Sequence, residues 1–255
     1  MSLDRVVIAK EFESHRQSLI ELVQGFDQSH DPLIGTGDRN VIKRMEFKGI
    51  SVVVKSFKRP NWINRWVYRY WRKSKAERSF MYAQKLRSMD IGTPTPVAFM
   101  ETRNLLGIDR SYYLSLHLDA PYTFRDLIHD LELPKRAELI QAFTAFTFDL
   151  HEKGVLFQDH SPGNTLICWE GERPVFYLVD LNRMIFTNLN RAQRIQNFAR
   201  LTPLKTMTDQ MSEVYARLAQ WPEDALKRDM WRVTENFQKR FHRKRRLKKK
   251  LFFWR

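Results

Sequence analysis

The 255 residues contain a single cysteine, Cys168, so no internal disulfide forms and the chain suits a reducing compartment. No run of 18 or more apolar residues occurs, which argues against a membrane-spanning helix. The opening segment MSLDRVVIAKEF is polar and charged, without the apolar core of a secretory leader, so a cytoplasmic location is expected. Repeats and low-complexity blocks are missing outside the last residues. Those last residues lack acid altogether. The 17 residues from Lys239 hold ten cationic side chains and no carboxylate, which leaves +5 of the net +15 for the other 238. Most of the excess charge is therefore local, and so is the partner it implies.

What is present describes a globular protein. Hydrophobic content is 43% and charged content 29%, and the length fits one large domain or two small lobes. Residues 11–24 carry Phe12, Leu19, Ile20, Leu22 and Val23, a weak helix pattern. LIGTGDRNVIKRMEFKGISVVVKSF, residues 33–57, reads as strand, glycine loop, strand, Lys-Gly turn and strand. KAERSFMYAQKLRSM spaces Ala76, Phe80, Ala83 and Leu86 as a helix does. IGTPTPVAFM begins a strand after two prolines, and residues 110–119 read as another. Beyond residue 120 the pattern changes. Leu139, Phe143, Phe146 and Leu150 share a helical face that Gly154 ends, and His151 packs at that helix end. VLFQD, TLICWE and VFYLVD are short strands, and from Arg191 onward the chain is mainly helical. A strand-rich front and a helix-rich back predict two lobes of an α+β protein.

Five polar features fall in order on this scaffold: Gly35 with Gly37 on a turn, Lys55 in a β-branched strand, Glu77 in a helix, Asp159 with Asn164 on one loop, and Asp180 after the strand VFYLV. Phosphoryl transfer from ATP uses such a set. Glycines admit backbone amides to the phosphates, and a lysine neutralises them while a glutamate holds it. One aspartate orients the attacking hydroxyl; an asparagine and a second aspartate offer oxygens to Mg²⁺. Taken singly, each has a plainer reading. Gly-x-Gly is usually a turn, Lys55 an edge lysine, Glu77 a solvated helix residue, and Asp-x-x-Pro-Gly-Asn a turn by composition. Asp180 could cap the next segment. The ordered combination carries the chemical reading.

With these residues, roughly 30–190 resembles the protein-kinase-like superfamily, in particular the bacterial lipopolysaccharide sugar kinases of the Kdo kinase and core heptose kinase group. The matching stretches are VVVKSF, SKAERSF, QDHSPGN and VDLNR. Asp-Leu-Asn-Arg stands where typical protein kinases have Asp-Phe-Gly, and its Asp-x-x-Arg form is similar to this group. The resemblance implies a bilobal fold, with an N-lobe of antiparallel sheet plus helix over 1–118 and a mainly helical C-lobe over 119–238. It implies Asp159 as catalytic base or hydroxyl-orienting group, and Asn164 and Asp180 as metal ligands. Lys55 would contact the α- and β-phosphates and pair with Glu77, and Leu116, His117 and Leu118 would form the adenine hinge. Arg183 and His160 would contact acceptor or phosphate, beside the readings of an ordinary salt bridge and a structural histidine. Two departures stand out. Phe157 occupies a position where many protein kinases have histidine, and the third glycine position of the loop is Asn40, with Asp38 before it.

Residues 58–75 mix Trp62, Trp66, Tyr68, Tyr70 and Trp71 with seven cations. Residues 239–255 end in Leu251, Phe252, Phe253 and Trp254 after the charges. Cations plus apolar aromatics make two membrane-anchoring signals, so 239–255 is expected to act as a membrane-association tail, with 58–75 as a second contact. RNA binding by the tail or a solvated helix end are the rival readings, and nucleic acid is disfavoured. The expected activity is an ATP- and Mg²⁺-dependent kinase of a Kdo or heptose hydroxyl of lipopolysaccharide (Kdo-lipid A), at the inner face of the cytoplasmic membrane. The alternatives are a kinase of a soluble small molecule or protein, and a non-catalytic pseudokinase.

Overall fold

The strand Ile50–Phe57 (β3) anchors the first half of the chain. Its Val52, Val54 and Phe57 are buried, as expected of a β-branched run in a sheet. The computed structural model describes residues 3–34, 40–57, 73–104 and 107–252, the last five of these as backbone only. Gly35, Gly37 and most of the 58–75 segment lie outside the described residues.

β3 is joined to Asn40–Phe47 (β2) by Lys48 and Gly49, both at positive φ. A two-residue hairpin turn of that hand matches the strand twist, and the Lys-Gly pair supplies it. Arg5–Ile8 (β1), Pro96–Asn104 (β4) and Gly107–Leu116 (β5) complete an antiparallel sheet in the order β1-β4-β5-β3-β2. β1 was not foreseen, since its apolar run is only RVVI, and its neighbour β4 determines it by pairing. A 3₁₀ turn, Lys10–His15, leads into Arg16–Gln24 (α1), which buries Leu19 and Val23 against the sheet. Buried Lys43 of β2 ties the end of α1 to the sheet: its Nζ donates to Phe26 O at 2.7 Å and Ser29 O at 2.6 Å. Among the described residues, the first foreseen strand appears as an isolated bridge from Leu33 to Lys43.

Lys75–Arg87 (α2) is capped by Ser74, whose Oγ accepts from Glu77 N at 2.9 Å. The foreseen face, Ala76, Phe80, Ala83 and Leu86, is the buried one. By its contacts, the chain divides into two units. The first is Met1–Asp119 with Asp180–Arg183, and the second is Ala120–Val179 with Met184–Arg255.

The second unit holds the short elements Tyr122–Thr123 (β6) and Asp126–His129 (α3), then the long helix Arg136–Glu152 (α4). Gly154 ends α4 at φ 70°, and a Cβ there would lie 3.0 Å from Thr187 O, so both conformation and space require glycine. Val155–Phe157 (β7), Thr165–Glu170 (β8) and Arg173–Leu178 (β9) are the three foreseen strands; β7 is two residues shorter than expected, β8 matches, and β9 begins and ends two residues earlier. β8 pairs with β6 and β9, and β7 with Met184–Phe186 (β10). Arg191–Asn197 (α5), Lys205–Ala219 (α6) and Glu223–Phe252 (α7) follow. Their core centres on Phe124, Phe143, Phe176, Phe198, Met211 and Tyr215. α7 runs through Lys239 without a break, so the basic segment continues a helix of the second unit.

Candidate active site

In the first unit, Lys55 projects from β3 as a buried cation, and its Nζ donates to Asp180 Oδ1 at 2.6 Å. Asn182 Nδ2 donates to the same oxygen at 2.6 Å. Asp180 has φ 60°, a left-handed conformation that aspartate tolerates better than most residues. Such a conformation costs on the order of 1 kcal/mol and persists where its surroundings fix it. Here two donors on one carboxylate oxygen do so.

Glu77 departs from expectation. It does not pair with Lys55: its carboxylate takes both nitrogens of the Arg5 guanidinium, at 2.9 and 3.0 Å. Physically, a planar two-pronged donor matches a carboxylate better than an ammonium does, and β1 delivers Arg5 to α2. The Glu77 side chain is 9% exposed and that of Arg5 38%, so the acid is the buried partner. Arg5 also stands 4.0 Å from Glu101, the acid opposite it across β1 and β4.

The foreseen hinge residues end β5. Leu116 N donates to Thr95 O and His117 N to Ser51 O, so the sheet claims these two amides. Leu118 follows, half-buried. Arg183 is exposed in the turn before β10.

In the second unit, the loop from Asp159 to Asn164 is closed by its own backbone and side chains. His160 N donates to Phe157 O, and Asn164 N to Ser161 O at 2.9 Å. Asn164 Nδ2 donates to Asp159 O at 2.8 Å, so the five-residue step between them is spanned by a direct bond. Asn164 O in turn accepts from Val179 N, which fixes the chain just before Asp180. Pro162–Asn164 forms one 3₁₀ turn, and the Arg125 guanidinium packs on Gly163: a Cβ there would sit 2.8 Å from its Nη2. Arg200 Nη1 donates to Asp159 Oδ1 at 3.1 Å.

His160 is corrected by the structure. It is 1% exposed and packs on Phe143 and Phe157, so it reaches neither acceptor nor phosphate. Neither ring nitrogen meets a partner in hydrogen-bonding geometry. Burial, and then neighbouring His151, push its pKa down to about 3. His151 is buried as expected but fully engaged, with Nδ1 2.8 Å from Tyr215 OH and Nε2 3.1 Å from Asn197 Oδ1. Burial lowers it to about 4 against the opposing hydrogen bond from Asn197.

Sequence reasoning missed Arg5, Arg200 and Asn182. Only Asn182 carried a local signal, two residues beyond Asp180 in Asp-Leu-Asn-Arg. Arg5 lies 72 positions from Glu77 and Arg200 41 from Asp159, distances that no spacing rule spans.

No protein-family model matches the sequence, and no curated protein matches it. Solved structures do. One, WaaP in complex with acyl carrier protein, is 16% identical, with 94% of this chain and 98% of that chain covered at a TM-score of 0.61. A weaker likeness is to the Rio2 kinase-ADP/Mg²⁺-phosphoaspartate complex from Chaetomium thermophilum, at 16% identity, 87% and 76% coverage and a TM-score of 0.47. The chain has the α+β protein-kinase-like fold.

Proposed function

We propose that this protein is a kinase that moves the γ-phosphoryl group of ATP onto a sugar hydroxyl of lipopolysaccharide, Kdo or core heptose. The observation that carries the reading is the Asp159–Asn164 loop, closed by a direct bond, in a fold that follows WaaP over 94% of the chain. The lipopolysaccharide acceptor is carried by the sequence resemblance at QDHSPGN and VDLNR. Asp159 would orient the acceptor hydroxyl and take its proton. Lys55 would meet the α- and β-phosphates, and Leu116 to Leu118 would bind adenine through backbone groups other than the Leu116 and His117 amides, which the sheet holds. Gly35 and Gly37 would cover the phosphates, and Arg183 would contact the acceptor or its phosphate.

Asn164 in the second unit and Asp180 in the first are each of a type that would hold Mg²⁺. Asn164 spends its Nδ2 on Asp159 O, which leaves Oδ1 as the atom suited to a hard cation, and Asp180 supplies a carboxylate. Among the described residues no group of three or more His, Cys, Asp and Glu side chains could hold a metal ion alone. When bound, Mg²⁺ would neutralise charge on the transferring phosphoryl group.

The site of action proposed is the inner face of the cytoplasmic membrane. No helix among the described residues is long and apolar enough to cross a membrane. α7 instead exposes Phe241, at 51%, and Leu247 among its cations, and Phe237 stacks on Phe241 at 6.1 Å. Apolar side chains set among cations supply both insertion and attraction to anionic head groups. Residues 58–75 would add a second contact.

The test is transfer from γ-labelled ATP, with Mg²⁺, to Kdo-lipid A and to heptose-bearing core lipopolysaccharide. Label in either lipid fraction supports the reading and names the sugar. Label only on a soluble sugar or protein acceptor would overturn it. Sedimentation with vesicles tests the location: binding to anionic but not neutral vesicles, lost on deleting residues 239–255, is expected.

A further inference from the structure

Arg200 belongs to a rigid segment. Its neighbours Phe198, Ala199, Leu201 and Thr202 are all buried, and Arg200 alone in the run is exposed. Three polar contacts join residues 197–200 to the loop of Asp159. Asn197 Nδ2 donates to Phe157 O at 2.8 Å, and Arg200 Nη1 reaches Gln158 O at 3.4 Å and Asp159 Oδ1 at 3.1 Å. On its other side the guanidinium lies over the Phe237 ring of α7, 5.9 Å from the centroid. The cation is thus held between an aromatic face and a carboxylate, within one unit.

From this we infer that Arg200 is a positioning residue for phosphoryl transfer, and that Phe237 of α7 positions Arg200 in turn. The inference rests on the reading of Asp159 as the hydroxyl-orienting group. Holding Oδ1 from a buried turn limits rotation of the Asp159 carboxylate, so the acceptor meets it in one orientation. The contribution is orientation, a term sensitive to displacements of an ångström. Lysine at 200 would keep a charge yet lose the guanidinium contact with the ring.

The experiment compares wild type, Asp159→Ala, Arg200→Ala, Arg200→Lys and Phe237→Leu, using γ-labelled ATP with Kdo-lipid A and heptose-bearing core lipopolysaccharide. ATP turnover without acceptor is measured alongside. Arg200→Ala is expected to lower kcat about 10- to 100-fold, as loss of an outer-shell support does, with KM for ATP changed less than about twofold. Arg200→Lys recovers part of the rate, millimolar methylguanidinium restores part of the Arg200→Ala rate, and Phe237→Leu gives a smaller loss of the same kind. Melting temperature and ATP binding report folding; should Arg200→Ala not fold, Arg200→Lys and Phe237→Leu decide. Wild-type kcat in the Arg200 variants beside an inactive Asp159→Ala would overturn the role of Arg200 alone. Full activity of Asp159→Ala would instead remove the reading beneath it, and the inference with it.

Discussion

Asp159 and Asp180 both follow short strands, and each gives one carboxylate oxygen to a cation, yet the cations differ in kind. Asp180 takes the ammonium of Lys55, on a flexible stem, at 2.6 Å. Asp159 takes a guanidinium fixed on a buried turn and backed by a ring. Lys55 is the residue proposed to turn to the phosphates of ATP, so the Asp180 pair is exchangeable. Arg200 has no such second task, so the Asp159 pair is a fixture. On the proposed reading, Asp180 would become available to a metal when Lys55 turns to ATP, and Asp159 would stay oriented throughout.

The two aspartates should therefore fail differently. Asp159→Ala should lose about 10³-fold or more of phosphate transfer while still binding ATP, since a positioned acid-base group is worth roughly 10²- to 10⁴-fold. Asp180→Ala should lose a similar amount, but with the Mg²⁺-dependence of ATP binding gone; titration of nucleotide with and without Mg²⁺ separates the cases. Equal ATP binding by both variants at every Mg²⁺ concentration would break the contrast.

Lys55→Met sharpens it further. Transfer should fall roughly 10²- to 10³-fold, the scale of losing one preorganised electrostatic contact. Weaker ATP binding should accompany the loss, whereas Arg200 variants leave ATP binding alone.

A parallel difference separates the two buried histidines, and pH reads it. Both have folded pKa values depressed below the ordinary 6.5, to about 4 for His151 and about 3 for His160. The unfolded chain therefore binds more protons as pH falls below about 6.5. Stability should drop through that range, ending near pH 4 for His151 and near pH 3 for His160, by roughly 3 kcal/mol from His151 and roughly 5 kcal/mol from His160. His160→Leu should cost little at pH 7.5, because its ring nitrogens have no partners, and should flatten part of the acid loss. His151→Leu should cost about 1–3 kcal/mol at pH 7.5, because Tyr215 and Asn197 lose a partner. Urea unfolding at pH 7.5 and 5 checks all three statements.

The smallest effect concerns Glu77. Arg5→Met should destabilise the fold by about 1–2 kcal/mol, the lower part of the range for a bond to a charged group, since Arg5 is partly exposed. An unchanged melting temperature would show that another cation takes over the carboxylate.

Much of this was legible in the sequence where the cause was local. The 3.6-residue spacing of Ala76, Phe80, Ala83 and Leu86 defined a helix, and Lys-Gly between two β-branched runs defined a hairpin. Asp159 and Asn164, five positions apart, lie on one tight turn, where the Asn164 side chain bonds the Asp159 backbone carbonyl. What escaped was set by contacts distant in sequence. β1 exists because β4 pairs with it, and through β1 Arg5 takes the glutamate assigned to Lys55. The burial of His160 follows from Phe143 on α4, which no residue of its own loop announces. Arg200 reads as one more cation in a basic chain until the turn after α5 sets it against Asp159.

The most direct test of the whole account is transfer of label from γ-labelled ATP to heptose-bearing core lipopolysaccharide and Kdo-lipid A, wild type beside Asp159→Ala. The account predicts Mg²⁺-dependent label on one of these lipids with wild type and none with Asp159→Ala. Equal labelling by both proteins, or no ATP binding by a folded wild type, would contradict it.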